Sequence, residues 1–121
     1  MAKEFIAEVF ELLNSFGLCH SKSKFSRHWL GREDSYYRSV LARDGEISFQ
    51  AQVTLASVLR EEGLMLVKSD KAALRQIGND VIELYSRCID DLLMRAASDT
   101  YDAPLGKIVE DAWREDKSWL N

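Results

Sequence analysis

The sequence is poor in residues that interrupt helices and in residues that build disulfide or metal frameworks. Its 121 residues include one proline, six glycines and two cysteines. Few breakers permit long uninterrupted elements, which favours helices over a loop-rich fold. Cys19 and Cys88 lack the close spacing of a zinc or redox motif. We therefore expect two reduced cysteines, no metal site and no cofactor.

Long hydrophobic runs and targeting signals are also missing. The longest apolar stretches, such as 63–67, fall far short of the roughly 20 residues that a membrane crossing needs. The first turns carry Glu4, Glu8 and Glu11, which is the wrong chemistry for a signal or transit peptide. These features predict a cytoplasmic protein that does not cross a membrane.

Catalytic signatures are absent too. His28 has no acid, cysteine or serine constellation near it in the sequence, and the adjacent Cys19 and His20 lack the further ligands that a metal needs. The chain contains no hydrolase, kinase or nucleotide-binding glycine motif. An enzyme is therefore the least favoured class.

The composition that is present describes a globular helical domain. Hydrophobic residues make up 46% of the chain and charged residues 30%, which is typical of a folded protein, and the length fits one domain. We predict a single all-α domain over residues 1–121. Its helix-turn-helix core of about four short helices spans about 1–62, and two longer C-terminal helices lie within about 69–121.

Apolar spacing, capping residues and glycines give the short helices their predicted bounds. These bounds are 3–16, 21 or 23 to 30, 34 or 35 to 43, and 48–62. Asp34 or Ser35 is expected to cap the third helix, and Tyr37, Val40 and Leu41 to form its buried stripe. The expected buried face of the fourth helix consists of Val53, Leu55, Ala56, Val58 and Leu59.

The C-terminal half is predicted to begin with a packed linker over 64–67, either an extended connection or a strand-like segment. A long helix then runs from Ser69 or Asp70 to about Ser98, with Gly78 as a candidate kink, and a last helix opens at Pro104. Apolar residues three and four apart form a stripe that suits a core helix or a dimer seam. The stripe consists of Leu74, Ile77, Val81, Leu84, Cys88 and Leu92.

One segment resembles a known DNA-binding motif. The pairs and runs Leu30-Gly31, Ser35-Tyr36-Tyr37, Glu46-Ile47-Ser48 and 55–59 resemble the helix-turn-helix of the lambda-repressor-like, or Xre-like, regulators. The resemblance covers roughly 21–63. The same segment is similar to a group of small uncharacterised bacterial proteins that share its phenylalanine-serine, tryptophan-leucine-glycine and serine-tyrosine-tyrosine pattern.

The resemblance implies a second helix that enters a DNA major groove, with two departures. The family has an alanine four residues before the turn glycine, where this chain has Arg27. One residue is inserted here, and Ser26 takes the small-residue role if the first helix is one residue longer. Asp34 occupies a position that often reads a base, and an acid there suits only a cytosine amino group.

The charge distribution favours the same segment. Residues 20–43 carry a net charge of +4 within a chain of net charge −4, which is the pattern expected of a surface that neutralises phosphates. We expect Lys22, Lys24, Arg27, Arg32 and Arg38 to contact phosphates. The resemblance implies that Ser35, Tyr36 and Ser39, with Asp34, lie nearest the bases, and that Tyr37 and Val40 lie in the core.

The leading hypothesis is therefore a small, dimeric DNA-binding regulator of transcription. The alternative is an adaptor or antiactivator that keeps a helix-turn-helix-like fold and binds a protein through its acidic C-terminal helices. Solvated basic side chains that pair with the acidic half of the chain would produce the same charge pattern.

Overall fold

The computed structural model describes residues 2–98, and all the regular elements within that range are helical. This confirms the all-α class, with the two longest described helices at the C-terminal side. The elements are α1 (Ala2–Ser15), α2 (an α-helical turn, Lys22–Lys24, continued by a π-helical segment, Phe25–Trp29), α3 (Tyr36–Ala42), α4 (Phe49–Val67) and α5 (Ala72–Ser98). The helix predicted after Pro104 lies outside the described residues.

The chain divides into two compact units, Met1–Ile89 and Asp90–Asn121. The packing described below belongs to the first unit. Of the second unit the structure describes only residues 90–98, the last turns of α5, where Leu93 and Met94 are exposed.

Helix α1 forms as its periodicity predicts. Ile6, Val9 and Leu13 follow one another at three- and four-residue spacing and are buried, because that spacing places them on one face. The helix ends at Ser15, and Gly17 just beyond it adopts a φ of +78°, which costs little for a residue without a Cβ. The N–H of Leu18 then donates to the carbonyl of Leu13 at 2.9 Å, which satisfies one of the carbonyls at the helix end.

An aromatic cluster joins the first three helices. The ring of Phe25 lies 5.3 Å from that of Phe10 and 4.9 Å from that of Tyr37, both edge to face. Edge-to-face pairs add about 0.5–1.5 kcal/mol each to the free energy of burial. The cluster therefore fixes α2 and α3 against α1.

Helices α4 and α5 pack closely through two glycines. A Cβ on Gly63 would lie 2.6 Å from Cδ1 of Ile82, and a Cβ on Gly78 would lie 2.7 Å from the backbone nitrogen of Val67. From Gly63 to Val67 along α4, the facing residue on α5 moves back from Ile82 to Gly78. The two helices are therefore antiparallel. The absence of a side chain at each glycine is what permits this approach.

This crossing explains why two predictions about the middle of the chain are wrong. Helix α4 does not end at Glu62, and 64–67 is not a linker, because α4 continues to Val67. Glycine inside a helix costs about 1 kcal/mol relative to alanine, and here contact with α5 offsets that cost. Gly78 likewise lies within a continuous α5.

The predicted stripe of α5 is largely confirmed. Val81, Leu84 and Cys88 are buried, whereas Leu74 and Ile77 are half-buried. On the outer edge of the packing between α1 and α5, Arg87 donates two hydrogen bonds to Glu8, at 2.7 and 3.0 Å. Its guanidinium also lies 5.1 Å from the centre of the Phe5 ring.

Two predicted core residues are exposed instead. Leu41 and Val53 are each 45% exposed. In α3 the inward direction is taken by Tyr36, Tyr37 and Val40, and Leu41 lies about 100° away from Val40 around the helix.

The reason is similar in α4. The buried face of that helix includes Leu55 and Leu59, and 3.6 residues per turn place them about 160° and 120° from Val53. In each of the two helices, one apolar residue that lies away from the buried face was therefore wrongly predicted to be in the core.

Candidate nucleic-acid interface

Helix α2 contains a change of helical type. Its first turn is capped by Ser21, whose hydroxyl accepts a hydrogen bond from the N–H of Lys24 at 3.1 Å. Ser21 is one of the two caps that the sequence predicted for this helix. After Lys24 the helix widens, so that the N–H of Leu30 donates to the carbonyl of Phe25, five residues back, at 3.0 Å. A π-helical turn accommodates one extra residue within a helix.

The wider turn places Ser26 at the crossing of α2 and α3. Ser26 is 0% exposed, whereas the neighbouring Arg27 is exposed. The small-residue position therefore lies five residues before the turn glycine. This is the position expected of Ser26 if the first helix is one residue longer, and the π-helical turn is the local cause.

Ser26 also caps the helix that follows. Its Oγ accepts a hydrogen bond from the N–H of Tyr37 at 3.0 Å and donates to the carbonyl of Lys22 at 2.9 Å. The predicted caps Asp34 and Ser35 do not have this role. Ser35 makes no capping bond through its side chain, and the carboxylate of Asp34 pairs with Arg27 instead. The cap comes from the packing of two helices, which local sequence does not reveal.

The turn between the two helices depends on Gly31. Its φ is +66°, a left-handed conformation that favours glycine, and a Cβ there would lie 3.1 Å from Cγ2 of Thr54 on α4. The N–H of Arg32 reaches back to the carbonyl of Ser26 at 2.8 Å. This bond fixes the direction in which the chain leaves α2.

The structure corrects the role of Tyr36. This side chain was expected to face outward near the bases, but it is only 8% exposed. Its hydroxyl accepts a hydrogen bond from the N–H of Ser48 at 2.8 Å, and the guanidinium of Arg32 lies 4.8 Å from the centre of its ring. Tyr36 therefore positions the start of α4 and the side chain of Arg32.

A polar hollow lies on the outer side of α2. It is open to solvent and has a volume of about 410 Å³. At its edge, Nη1 of Arg38 donates a hydrogen bond to the hydroxyl of Ser23 at 2.8 Å, so that α3 contributes a third cation beside two from α2. The hollow is lined by Ser21, Ser23, Lys24, Arg27, His28 and Asp34.

The charges around this hollow are predominantly positive. Asp34 is the one carboxylate among the described residues that line it, and its Oδ1 lies 3.3 Å from Nε of Arg27. Both side chains of this pair are mostly exposed, so the attraction between them is screened by water and contributes little to stability. Nε2 of His28 lies 3.4 Å from Oε1 of Glu62 on α4.

The predicted site residues fall into two groups. The structure brings Lys24, Arg27, Asp34 and Arg38 together at the hollow. The others lie elsewhere. Nζ of Lys22 is 5.9 Å from the centre of the Phe10 ring, and the guanidinium of Arg32 lies over the ring of Tyr36. Ser35, just before α3, and Ser39, within it, are both exposed.

Three residues of the hollow were not among the predicted site residues. Ser21 and Ser23 were assigned only to capping, and His28 was considered only as a catalytic group. Their spacing from Lys24 and Arg27 contained a usable signal, because residues three or four apart share one helical face.

The cysteines are inert by position. Cys19 and Cys88 are both buried, and neither forms a disulfide. Burial raises the pKa of the Cys19 thiol, which donates to the carbonyl of Ser21 at 3.5 Å. Within residues 2–98, no three histidine, cysteine, aspartate or glutamate side chains come close enough to hold a metal ion. No helix in the same range is long and apolar enough to cross a membrane.

The chain belongs to a family of unknown function (DUF6626), whose profile matches residues 6–102. Comparison with curated proteins and with solved structures finds no significant match.

Proposed function

We propose that this protein is a cytoplasmic, homodimeric regulator of transcription that binds DNA through α2 and α3. The observation that carries the proposal is the convergence of Lys24, Arg27 and Arg38, from two helices joined by a glycine turn, on one exposed hollow. Affinity for DNA depends on neutralising phosphates. Cations gathered on one face of an acidic chain suit that task.

The division of α3 into two faces supports the same reading. Tyr37 and Val40 are buried, and Arg38 and Ser39 are exposed. A recognition helix needs this division, because one face must hold the helix on the domain while the other reaches the major groove. The π-helical turn and Ser26 fix the angle between α2 and α3 from within.

The proposal is tested by the salt dependence of binding to a fluorescein-labelled duplex of mixed sequence. We expect log Kd to rise linearly with log salt concentration, with a slope of several units. Reversing two charges, Arg27→Glu with Arg38→Glu, should weaken binding by at least about tenfold and reduce the slope. The matched control is Lys68→Glu with Lys71→Glu, two exposed residues at the α4–α5 junction.

The control pair changes the net charge by the same amount but lies outside the proposed surface. It should bind within about threefold of the parent if position rather than total charge matters. Equal binding by the parent and the Arg27/Arg38 variant, with both folded, would contradict the proposal. Equal weakening by both variants would show that net charge alone causes the effect, and this result would also contradict the proposal.

A protein-binding adaptor is the second candidate, and a specific observation favours it. Helix α4 exposes four apolar side chains to solvent, of which Met65 is the most exposed. Exposed apolar groups of this kind are typical of protein contact surfaces. If the duplex is not bound at any salt concentration, this candidate replaces DNA binding. The exposed residues are Phe49, Val53, Leu64 and Met65.

A further inference from the structure

We propose that the hollow beside α2 is a binding site for a single phosphate group. The shared chemistry is a phosphate oxyanion, supplied either by a phosphodiester of DNA or by a free phosphate. The inference deepens the proposed function, and its DNA arm rests on that function. It specifies where on the surface a phosphate is held and which side chains hold it.

Two serine hydroxyls at the hollow have a proton to donate. The hydroxyl of Ser21 accepts from the N–H of Lys24, and that of Ser23 accepts from Arg38. Within residues 2–98, neither hydroxyl donates a hydrogen bond to the protein. A hydroxyl carries one donor and two acceptor sites. Each O–H is therefore free to point toward an acceptor such as a phosphate oxygen.

The cationic side chains around the hollow also have hydrogen-bond donors that the protein does not use. Arg27 uses Nε toward Asp34, which leaves both terminal nitrogens available. Arg38 uses Nη1 toward Ser23, which leaves Nη2. Lys24 pairs with no carboxylate within residues 2–98. Hydrogen bonds from charged donors to phosphate are roughly twice as strong as neutral ones, and these donors come from both α2 and α3.

Size and charge limit the ligand to one phosphate with a small attached group. The volume of about 410 Å³ lies in the range of about 300–1,000 Å³ that is common for small-molecule sites, so the hollow has room for more than the phosphate alone. Asp34 at its edge repels a second phosphate. A monoester or a diester therefore fits better than a polyphosphate.

The test is an NMR titration of the ¹⁵N-labelled full chain. Inorganic phosphate, potassium chloride at equal ionic strength, and a mixed-sequence duplex are added in separate experiments, and the amide signals of Ser23, Arg27 and Asp34 are followed. We expect saturable shifts with phosphate and the duplex but not with chloride.

Four variants make the titration specific. Ser23→Ala should weaken phosphate binding about tenfold, since it removes a hydrogen bond to a charged ligand, and Ser23→Thr should restore it. Asp34→Asn should strengthen binding severalfold, because the repelling charge is lost. Ser86→Ala, which removes an exposed hydroxyl on α5 away from the proposed surface, is the matched control and should change nothing. Circular dichroism checks that each variant is folded.

The outcomes separate the two proposals. Binding of phosphate that depends on Ser23, without binding of the duplex, supports the phosphate site as a site for a free phosphate and overturns the proposed function. Salt-dependent binding of the duplex that Ser23→Ala leaves unchanged, with phosphate acting no differently from chloride, overturns the phosphate site and leaves the proposed function standing. If neither ligand binds, both are overturned.

Discussion

The substitution Ser26→Ala tests the packing that holds α2 and α3 together. It removes one oxygen from a side chain that is 0% exposed. The N–H of Tyr37, which donates to that oxygen at 3.0 Å, belongs to the first turn of α3, where the helix has no carbonyl of its own to offer. The N–H would therefore be left buried and unpaired.

The expected cost follows from these contacts. An unsatisfied buried donor costs about 1–3 kcal/mol, and alanine returns about 0.5 kcal/mol through its better helix propensity. The carbonyl of Lys22 loses the serine proton but still accepts from the N–H of Phe25. We expect the free energy of unfolding to fall by about 0.5–2.5 kcal/mol, with a midpoint shift of about 4–8 °C per kcal/mol for a unit of this size.

Thermal and urea unfolding followed by circular dichroism would measure this change. The control is Ser39→Ala, the same chemical change at an exposed position of α3, for which we expect an effect within about 0.5 kcal/mol. If the two variants unfold alike, the N–H of Tyr37 has another partner, and Ser26 does not determine the crossing of the two helices.

Three further changes test the rest of the first unit. Gly78→Ala brings a Cβ to 2.7 Å from the nitrogen of Val67 and should destabilise the protein by about 1–3 kcal/mol in urea unfolding; a stabilised variant would mean that α4 and α5 do not cross there. Val81→Asp places a charge at a fully buried position and should cost about 3 kcal/mol or more; an unchanged melting curve and solution mass would show that the stripe faces water. The Arg87 hydrogen bond lowers the pKa of Glu8, so this pair should stabilise the fold above the ordinary carboxyl value and lose its effect as the pH falls through the lowered one. The melting-temperature difference between the parent and Glu8→Gln should therefore shrink from pH 7 to pH 3, and a constant difference would refute the coupling.

Much of the fold could be read from the sequence because its signals are local. The spacing of Ile6, Val9 and Leu13 gave α1, the caps Ser21 and Ser48 gave two helix starts, and Gly31 gave the turn. The side chain of Ser48 does accept from the N–H of Ala51. In each case the residues that cause the feature lie within a few positions of it.

The candidate site was predicted less completely because it depends on residues that are distant in the chain. Spacing could identify Lys24 and Arg27 as one face of α2, but only the packing of α3 brings Arg38 to Ser23. Tyr36 was expected to face outward because the resemblance assigned the buried positions of α3 to Tyr37 and Val40. It is instead buried, and its hydroxyl accepts a hydrogen bond from the N–H of Ser48, twelve residues away.

By itself the sequence determined the helical class, the long amphipathic α5 and the positive charge of 20–43, since propensity, periodicity and formal charge belong to the residues. Tertiary structure decided that α4 continues past Gly63, that Ser26 rather than Asp34 or Ser35 caps α3, and which cations share the hollow. In the sequence alone a glycine such as Gly63 predicts a helix end, although packing by another helix can keep it inside a helix. A serine hydroxyl can likewise cap an N–H that packing brings to about 3 Å, as Ser26 caps Tyr37. These choices depend on contacts between helices, and such contacts exist only once the chain has folded.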